Sequence, residues 1–163
     1  MLFRQTKMKD LPRILIVDDE AIVRRSYERL LTGEHCCTRT ANDGAEALEA
    51  MNREPFDVVL LDLRMPGEDG ISVLRKIKTG WPESEVVVIT GYPTIESAKQ
   101  AVRAGACDYL AKPVEAEDMI CATRRALSRQ QWTLRRVQDA RDYGAGTKAW
   151  FCNKEGESDV ATS

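Results

Sequence analysis

The chain has 163 residues, with 24 Lys plus Arg against 26 Asp plus Glu and a formal net charge of -2. That length fits one domain plus an extension, and the near-balanced charge excludes a chain-wide polyanion binder. No apolar run approaches the ~20 residues needed to span a bilayer, so no membrane partner is expected. Residues 1–12 contain basic residues with no apolar core after them, and are expected to be an extension rather than a secretory signal.

Residues 13–17, Arg-Ile-Leu-Ile-Val, form a continuous apolar run ending in Asp18-Asp19-Glu20. Such a run without alternation reads as a strand buried on both faces. Ala21 to Leu31 carries Ile22, Val23, Tyr27, Leu30 and Leu31 at helical spacing, and Gly33 ends it. Cys36 to Thr40 is a less apolar strand at or near an edge. Asn42-Asp43-Gly44 opens a second helix with a small apolar face at Ala45, Ala47, Leu48 and Met51, and Pro55 stops it. Val58-Val59-Leu60-Leu61 is a second fully apolar strand that stops abruptly at Asp62, before Pro66-Gly67 turns the chain. A third helix presents Ile71, Val73, Leu74 and Ile77 and closes at Gly80 and Pro82. Val86-Val87-Val88-Ile89 ends in Thr90-Gly91. Thr94 to Ala104 is an alanine-rich, weakly amphipathic helix closed by Gly105. Asp108 to Ala111 is a brief strand ending in Lys112-Pro113, where a cis peptide is expected because X-Pro is the bond at which cis costs little. A last helix begins near Glu115.

Five strands alternating with five helices over about 115 residues imply right-handed crossovers and a parallel sheet covered by helices on both faces. The five-stranded doubly wound order 2-1-3-4-5 suits this length, which makes the fold α/β and flavodoxin-like with an extended C-terminal helix. The expected organisation is an N-terminal extension over 1–12, the α/β domain over 13–128, a helical extension over 129–143 and a disordered tail over 144–163.

Five cysteines and one histidine show no metal-ligand spacing. His35-Cys36-Cys37, read on a strand, would point to alternate faces and could not converge on one ion. The cysteines read as free thiols of a reducing cytoplasm.

Chemistry collects at the carboxyl ends of the strands. Asp18, Asp19, Asp62, Thr90 and Lys112 each stand at or just past such an end, where open α/β sheets bind ligands. In the 2-1-3-4-5 order the first and third strands are neighbours, so Asp18, Asp19 and Asp62 should cluster. Three close carboxylates repel, and a hard divalent cation, Mg²⁺ by choice of oxygen donors, would relieve this. Lys112 adds an ammonium and Thr90 a hydroxyl. Together they could hold three phosphoryl oxygens while one carboxylate attacks phosphorus. The bland alternative is that Asp18 and Asp19 cap the first helix, Asp62 caps a turn and Lys112 makes a surface ion pair.

Four motifs, Ile14 to Glu20, Leu61 to Gly67, Val88 to Gly91 and Gly105 to Pro113, resemble those of response-regulator receiver domains of two-component systems. Within that family the segments Met65-Pro66-Gly67 and Ala104-Gly105-Ala106 are most similar to the NtrC-like and FixJ-like groups. The resemblance implies that Asp62 accepts a phosphoryl group from a sensor histidine kinase or phosphotransfer protein. It implies that Asp19, Asp62 and the Arg64 backbone carbonyl ligate Mg²⁺ directly, with Asp18 acting through water. Thr90 would be the switch hydroxyl, Lys112 the phosphoryl-binding ammonium and Tyr109 the switch aromatic. Gly91 departs mildly from the family, where alanine is more usual.

Two function classes follow. One is a phosphorylatable signalling module that contacts a downstream protein and is no enzyme beyond its own phosphorylation and dephosphorylation. The other is a Mg²⁺-dependent phosphotransferase or phosphatase using an aspartyl-phosphate intermediate. The second would want an acid beside Asp62 and a substrate lid; Leu63-Arg64 supplies no acid and no insertion is long enough for a lid. After the α/β domain no DNA-binding output motif is recognisable. Arg124, Arg125, Arg129, Arg135, Arg136 and Arg141 make the last helix basic, but such a face is ordinarily solvated, so DNA is not expected as a partner. Ile120, Leu127, Leu134 and Val137 trace an apolar stripe interrupted at Thr123 and Gln130, which points to a weak homodimer.

Overall fold

The computed structural model describes the backbone of residues 11–152 and the side chains of residues 11–141. The N-terminal extension assigned to 1–12 lies mostly outside these residues. Five strands, β1 (Arg13–Val17), β2 (Cys37–Ala41), β3 (Val58–Leu61), β4 (Glu85–Thr90) and β5 (Asp108–Ala111), alternate with α1 (Ala21–Thr32), α2 (Gly44–Arg53), α3 (Gly70–Gly80), α4 (Ile95–Ala104) and α5 (Ala116–Cys152). All strand pairs are parallel, and the sheet order is β2-β1-β3-β4-β5. The chain divides into two compact units after Gln130.

The reason the central strands lack polar alternation is visible in the two cores. Leu15, Val17, Val59, Leu61, Val86 and Val88 point to one face and pack with Ala47, Met51, Val73, Leu74 and Ile77 of α2 and α3. Ile14, Ile16, Val58, Leu60, Val87 and Ile89 point to the other and pack with Tyr27 and Leu31 of α1 and Met119, Ala122 and Ala126 of α5. Each such side chain withdrawn from water contributes roughly 1.5–3 kcal/mol, so both faces must be apolar. The edge strand β2 is only partly buried and begins at Cys37 rather than Cys36. His35 before it has a left-handed φ of 55°.

Capping follows the sequence. Asp43, Asp69 and Thr94 accept hydrogen bonds from the backbone N–H of Glu46, Ser72 and Ser97 at the starts of α2, α3 and α4. Gly105, with φ of 100°, closes α4 in the left-handed region that glycine tolerates. The Lys112–Pro113 bond is cis, as expected.

Three local expectations are corrected. Ile22 shares the helical spacing of α1 but is 76% exposed, because α1 turns only Tyr27 and Leu31 fully inward. In α5, Thr123 and Gln130, read as interruptions of the apolar stripe, are buried at 3% and 6%, while Leu134 and Val137 are exposed at 45% and 43%, as a stripe meant for a second copy requires. The packed face is Met119, Ala122, Thr123, Ala126 and Gln130, since small side chains let a helix approach the sheet closely. Finally, the α5 backbone is helical through Cys152, where the sequence reading places a disordered tail from 144. Two glycines, Gly144 and Gly146, each cost a helix only about 1 kcal/mol, and Ala145, Lys148 and Ala149 around them are helix formers. Residues 153–163 of that tail lie outside the described residues.

Gly70 opens α3 against the backbone of the Asp62 loop. A Cβ added there would lie 2.4 Å from Leu63 Cα and 2.6 Å from its carbonyl oxygen. Backbone cannot give way as a flexible side chain can. Gly70→Ala is therefore expected to lower unfolding free energy by on the order of 2–3 kcal/mol in urea titration. A loss within 0.5 kcal/mol of zero would show that the loop adapts freely.

Candidate functional site

Strand register brings the acids together. Val17 pairs with both Ala41 and Leu61, so β1 and β3 end level with one another. The Asp62 N–H donates to the Val17 carbonyl at 2.9 Å, continuing the ladder one residue past the strand. Carboxylate oxygens of Asp18, Asp19 and Asp62 lie within 4.8 Å of one another, with Asp18 and Asp62 buried and Asp19 exposed. On the next pair, Lys112 N–H donates to the Thr90 carbonyl at 2.8 Å, which fixes the end of β5 beside that of β4.

Lys112 closes the cluster. Its ammonium donates to Asp18 Oδ2 at 2.7 Å and to Asp62 Oδ2 at 2.9 Å. Glu20 Oε1 lies farther away, at 4.0 Å. Burial alone would lower the Lys112 ammonium, but hydrogen bonds and charge from Asp18 and Asp62 outweigh it and raise its pKa above the usual range. Burial pushes the Asp62 carboxyl up from its ordinary value; the Arg64 N–H and the Lys112 ammonium pull it down, and Asp18 adds to the rise.

The other oxygens are also directed. Asp62 Oδ1 accepts from Arg64 N–H at 2.9 Å, and Asp18 Oδ1 accepts from Glu20 N–H at 2.9 Å. Asp18 joins the acidic cluster and does not cap α1, whose N-cap Glu20 makes no side-chain cap hydrogen bond. Thr90 Oγ1 accepts from the Tyr92 N–H at 3.3 Å, within its own loop. Tyr109 is half-buried, and its hydroxyl lies 2.7 Å from Ser97 Oγ on α4.

The donor set suits a hard divalent cation. Three ionised carboxylates against the single ammonium of Lys112 leave two negative charges, and all the converging donors are oxygen. Asp19 lies exposed at the rim, where a cation could keep water ligands.

Chain-order reading misses several neighbours of this site. The Arg64 guanidinium sits 4.9 Å over the Tyr92 ring, linking the loops after β3 and β4. A shallow, mostly apolar cleft of about 540 Å³ runs from Lys112 and Gly91 along Ile22, Val23, Tyr27 and Val114. A Cβ at Gly91 would meet only Lys112 Cδ at 3.9 Å, so sterics do not demand glycine there.

Comparison with known proteins agrees with this geometry. The family model described as "Response regulator receiver domain" matches residues 14–124. The chain belongs to the response regulator receiver domain family. It is 37% identical over 118 residues to the DNA-binding transcriptional regulator NtrC of Escherichia coli K12, an alignment covering 72% of this chain and 25% of that protein. It is likewise 37% identical over 123 residues to the alginate biosynthesis transcriptional regulatory protein AlgB of Pseudomonas syringae pv. tomato, covering 76% and 28%. The chain thus spans about a quarter of the length of these curated relatives. Among solved structures, a CheY-like receiver domain protein from Methanospirillum hungatei JF-1 superposes with a TM-score of 0.74 at 30% identity, covering 76% of this chain and 99% of that one. The receiver domain of NtrX from Brucella abortus gives a TM-score of 0.67 at 41% identity, covering 71% and 98%. The fold and family assigned to this receiver domain are those read from its motifs. No helix among the described residues is long and apolar enough to cross a membrane.

The raised Asp62 pKa has a thermodynamic consequence. The folded state holds that proton more tightly than the unfolded chain, so stability falls as pH rises through the folded pKa. The cost is fully present above that pKa and vanishes below the unfolded value near ~3.9. In chelator at pH 7, Asp62→Asn is expected to be more stable to urea than wild type, with the difference shrinking as the pH falls through the raised folded pKa toward about 4. A difference that grew on acidification would contradict the assignment of burial as the main cause.

Proposed function

We propose that this receiver acts as a phosphorylatable response regulator in a cytoplasmic two-component phosphorelay, with Asp62 as phosphoacceptor. The observation that carries the reading is the Lys112 ammonium shared between Asp18 and Asp62 inside a cluster of three carboxylates. An isolated surface aspartate has no need of a buried counter-charge donated from another strand end.

In this reading a sensor histidine kinase or phosphotransfer protein presents a phosphohistidine along the apolar cleft beside Lys112. An Asp62 carboxylate oxygen attacks phosphorus in line. The P–N bond breaks, the electron pair returns to the imidazole, and an acyl phosphate remains on Asp62. Lys112 turns from the carboxylates to a phosphoryl oxygen, and Thr90 Oγ1 leaves Tyr92 N–H for another. Asp19, Asp62 and the Arg64 carbonyl would hold Mg²⁺, with Asp18 contacting it through water; when bound, the cation neutralises charge on the transferring group. No acid adjoins Asp62 in Leu63-Arg64, which favours this reading over a turnover phosphotransferase or phosphatase.

The output we assign is altered binding of a downstream protein through α4, β5 and α5, with Thr90 and Tyr109 as the switch pair. DNA is not assigned as a direct partner. The relatives named as DNA-binding or transcriptional regulators are far longer than the segment they share with this chain. Exposed Leu134 and Val137 on α5 leave apolar surface that also suits a weak homodimer.

Incubation with acetyl phosphate and Mg²⁺ should label the wild type and leave Asp62→Asn unlabelled; excess chelator should abolish labelling. Sedimentation of the same samples, intact and ending at Ser128, should give reversible association only for the intact chain. Label on Asp62→Asn refutes the phosphoacceptor, and monomers throughout refute the homodimer.

A further inference from the structure

The hydroxyl of Ser97 is fully committed, and one of its partners is the switch aromatic. Ser97 sits at the third position of α4, facing Thr94 in a reciprocal capping box. Its Oγ accepts from Thr94 N–H at 3.1 Å and lies 3.0 Å from the Thr94 carbonyl and 2.9 Å from Thr94 Oγ1. The Tyr109 hydroxyl is 2.7 Å away. A serine hydroxyl has one proton and two lone pairs. Ser97 Oγ accepts from the Thr94 N–H and from Thr94 Oγ1 and donates to the Thr94 carbonyl, and in its hydrogen bond with the Tyr109 hydroxyl either oxygen can be the donor.

This places Tyr109 under a specific restraint. Tyr109 pairs with Val88 on the adjacent strand, two residues before Thr90. Its ring is half-buried against the core on the α4 side of the sheet. In the same structure Thr90 Oγ1 is engaged with Tyr92 N–H, in the loop that leads into Thr94. Thr90, the α4 cap and Tyr109 are therefore linked by consecutive hydrogen bonds and one short loop. Drawing Thr90 toward Asp62 breaks the first bond and pulls on the segment that carries the cap.

We propose that Ser97 is a positioning residue that latches Tyr109 to the α4 cap in the arrangement where Thr90 Oγ1 is held by the Tyr92 N–H, and so opposes switching. The proposal rests on the reading of Thr90 and Tyr109 as the switch pair. Both hydroxyls of the latch are outside the acidic cluster, so removing either leaves the groups that hold a phosphoryl mimic in place. The latch favours one arrangement only; its loss shifts the equilibrium toward the other, and any ligand that prefers that other arrangement binds more tightly.

The test is a titration of the full chain with beryllofluoride in the presence of Mg²⁺, followed by fluorine NMR of 3-fluorotyrosine at Tyr109. Ser97→Ala and Tyr109→Phe remove the same hydrogen bond from opposite ends. In Tyr109→Phe the titration is read on the Tyr92 fluorine, in the loop that carries the switch threonine. Each variant should bind the mimic about fivefold more tightly, the shift expected for one neutral hydrogen bond. The double variant should show no further gain, and Ser97→Thr, which restores the hydroxyl, should return to wild-type affinity. A Tyr109→Phe variant with unchanged affinity overturns the latch, as does additive tightening in the double variant. A gain confined to Ser97→Ala would assign the effect to the helix cap alone and also overturns it. A wild type that does not bind beryllofluoride at all, or an Asp62→Asn that binds it equally, defeats the underlying phosphoacceptor reading instead.

Discussion

The structure depends on one ammonium shared between two buried carboxylates. Lys112 donates to Asp18 and Asp62 from the end of β5, four strands after β1 in sequence and three places from it across the sheet. Without a cation between them, two carboxylates at 2% and 4% exposure would repel in a poorly solvated cleft. With only one ammonium the cluster stays negative, which leaves it receptive to a divalent ion. A site that is incompletely neutralised by its own residues can respond to a cation and to a phosphoryl group; a fully paired one would be inert.

That arrangement is a consequence of the doubly covered parallel sheet. Because all strands point the same way, every strand end opens on one edge. Because β1 and β3 are in level register, Asp18 and Asp62 sit side by side rather than staggered. The reversal of chain direction across the sheet puts β1 beside β3 and leaves room for loops from β4 and β5 to overhang them. Arg64 in the loop after β3 stacks on Tyr92 in the loop after β4, and Tyr109 of β5 meets Ser97 of α4, so the site's cover and the α4 surface are mechanically adjacent.

Much of this was legible in the sequence because burial on both faces removes ambiguity. Val58 to Leu61 could hardly be read as anything but an interior strand, and the acid at its end announces the edge of the core. The strand-end residues Asp18, Asp19, Asp62, Thr90 and Lys112 were legible for the same reason. Faces of surface helices were less so. Ile22 looks like a core residue by spacing and is exposed, while Thr123 and Gln130 look like interruptions and are buried. In α5 the face against the sheet is chosen by side-chain size, with Ala122 and Ala126 permitting close approach, and apolar identity alone does not reveal that. Ser97 was hidden because its spacing from Thr94 is fully explained by capping; only the fold brings Tyr109 to it. Thr123 Oγ1 has no hydrogen-bond partner among the described residues, and nothing in its surroundings accounts for it.

The central claim is that the carboxylate cluster and Lys112 form one phosphoryl-accepting unit. A crystal structure of the full chain with Mg²⁺ and beryllofluoride tests it most directly. The account predicts beryllium on an Asp62 carboxylate oxygen, Mg²⁺ between Asp19 and Asp62 with the Arg64 carbonyl as a further ligand, and Lys112 Nζ moved onto a fluorine. Beryllofluoride bound at any other residue, or Lys112 still bridging Asp18 and Asp62 with the mimic in place, would contradict it.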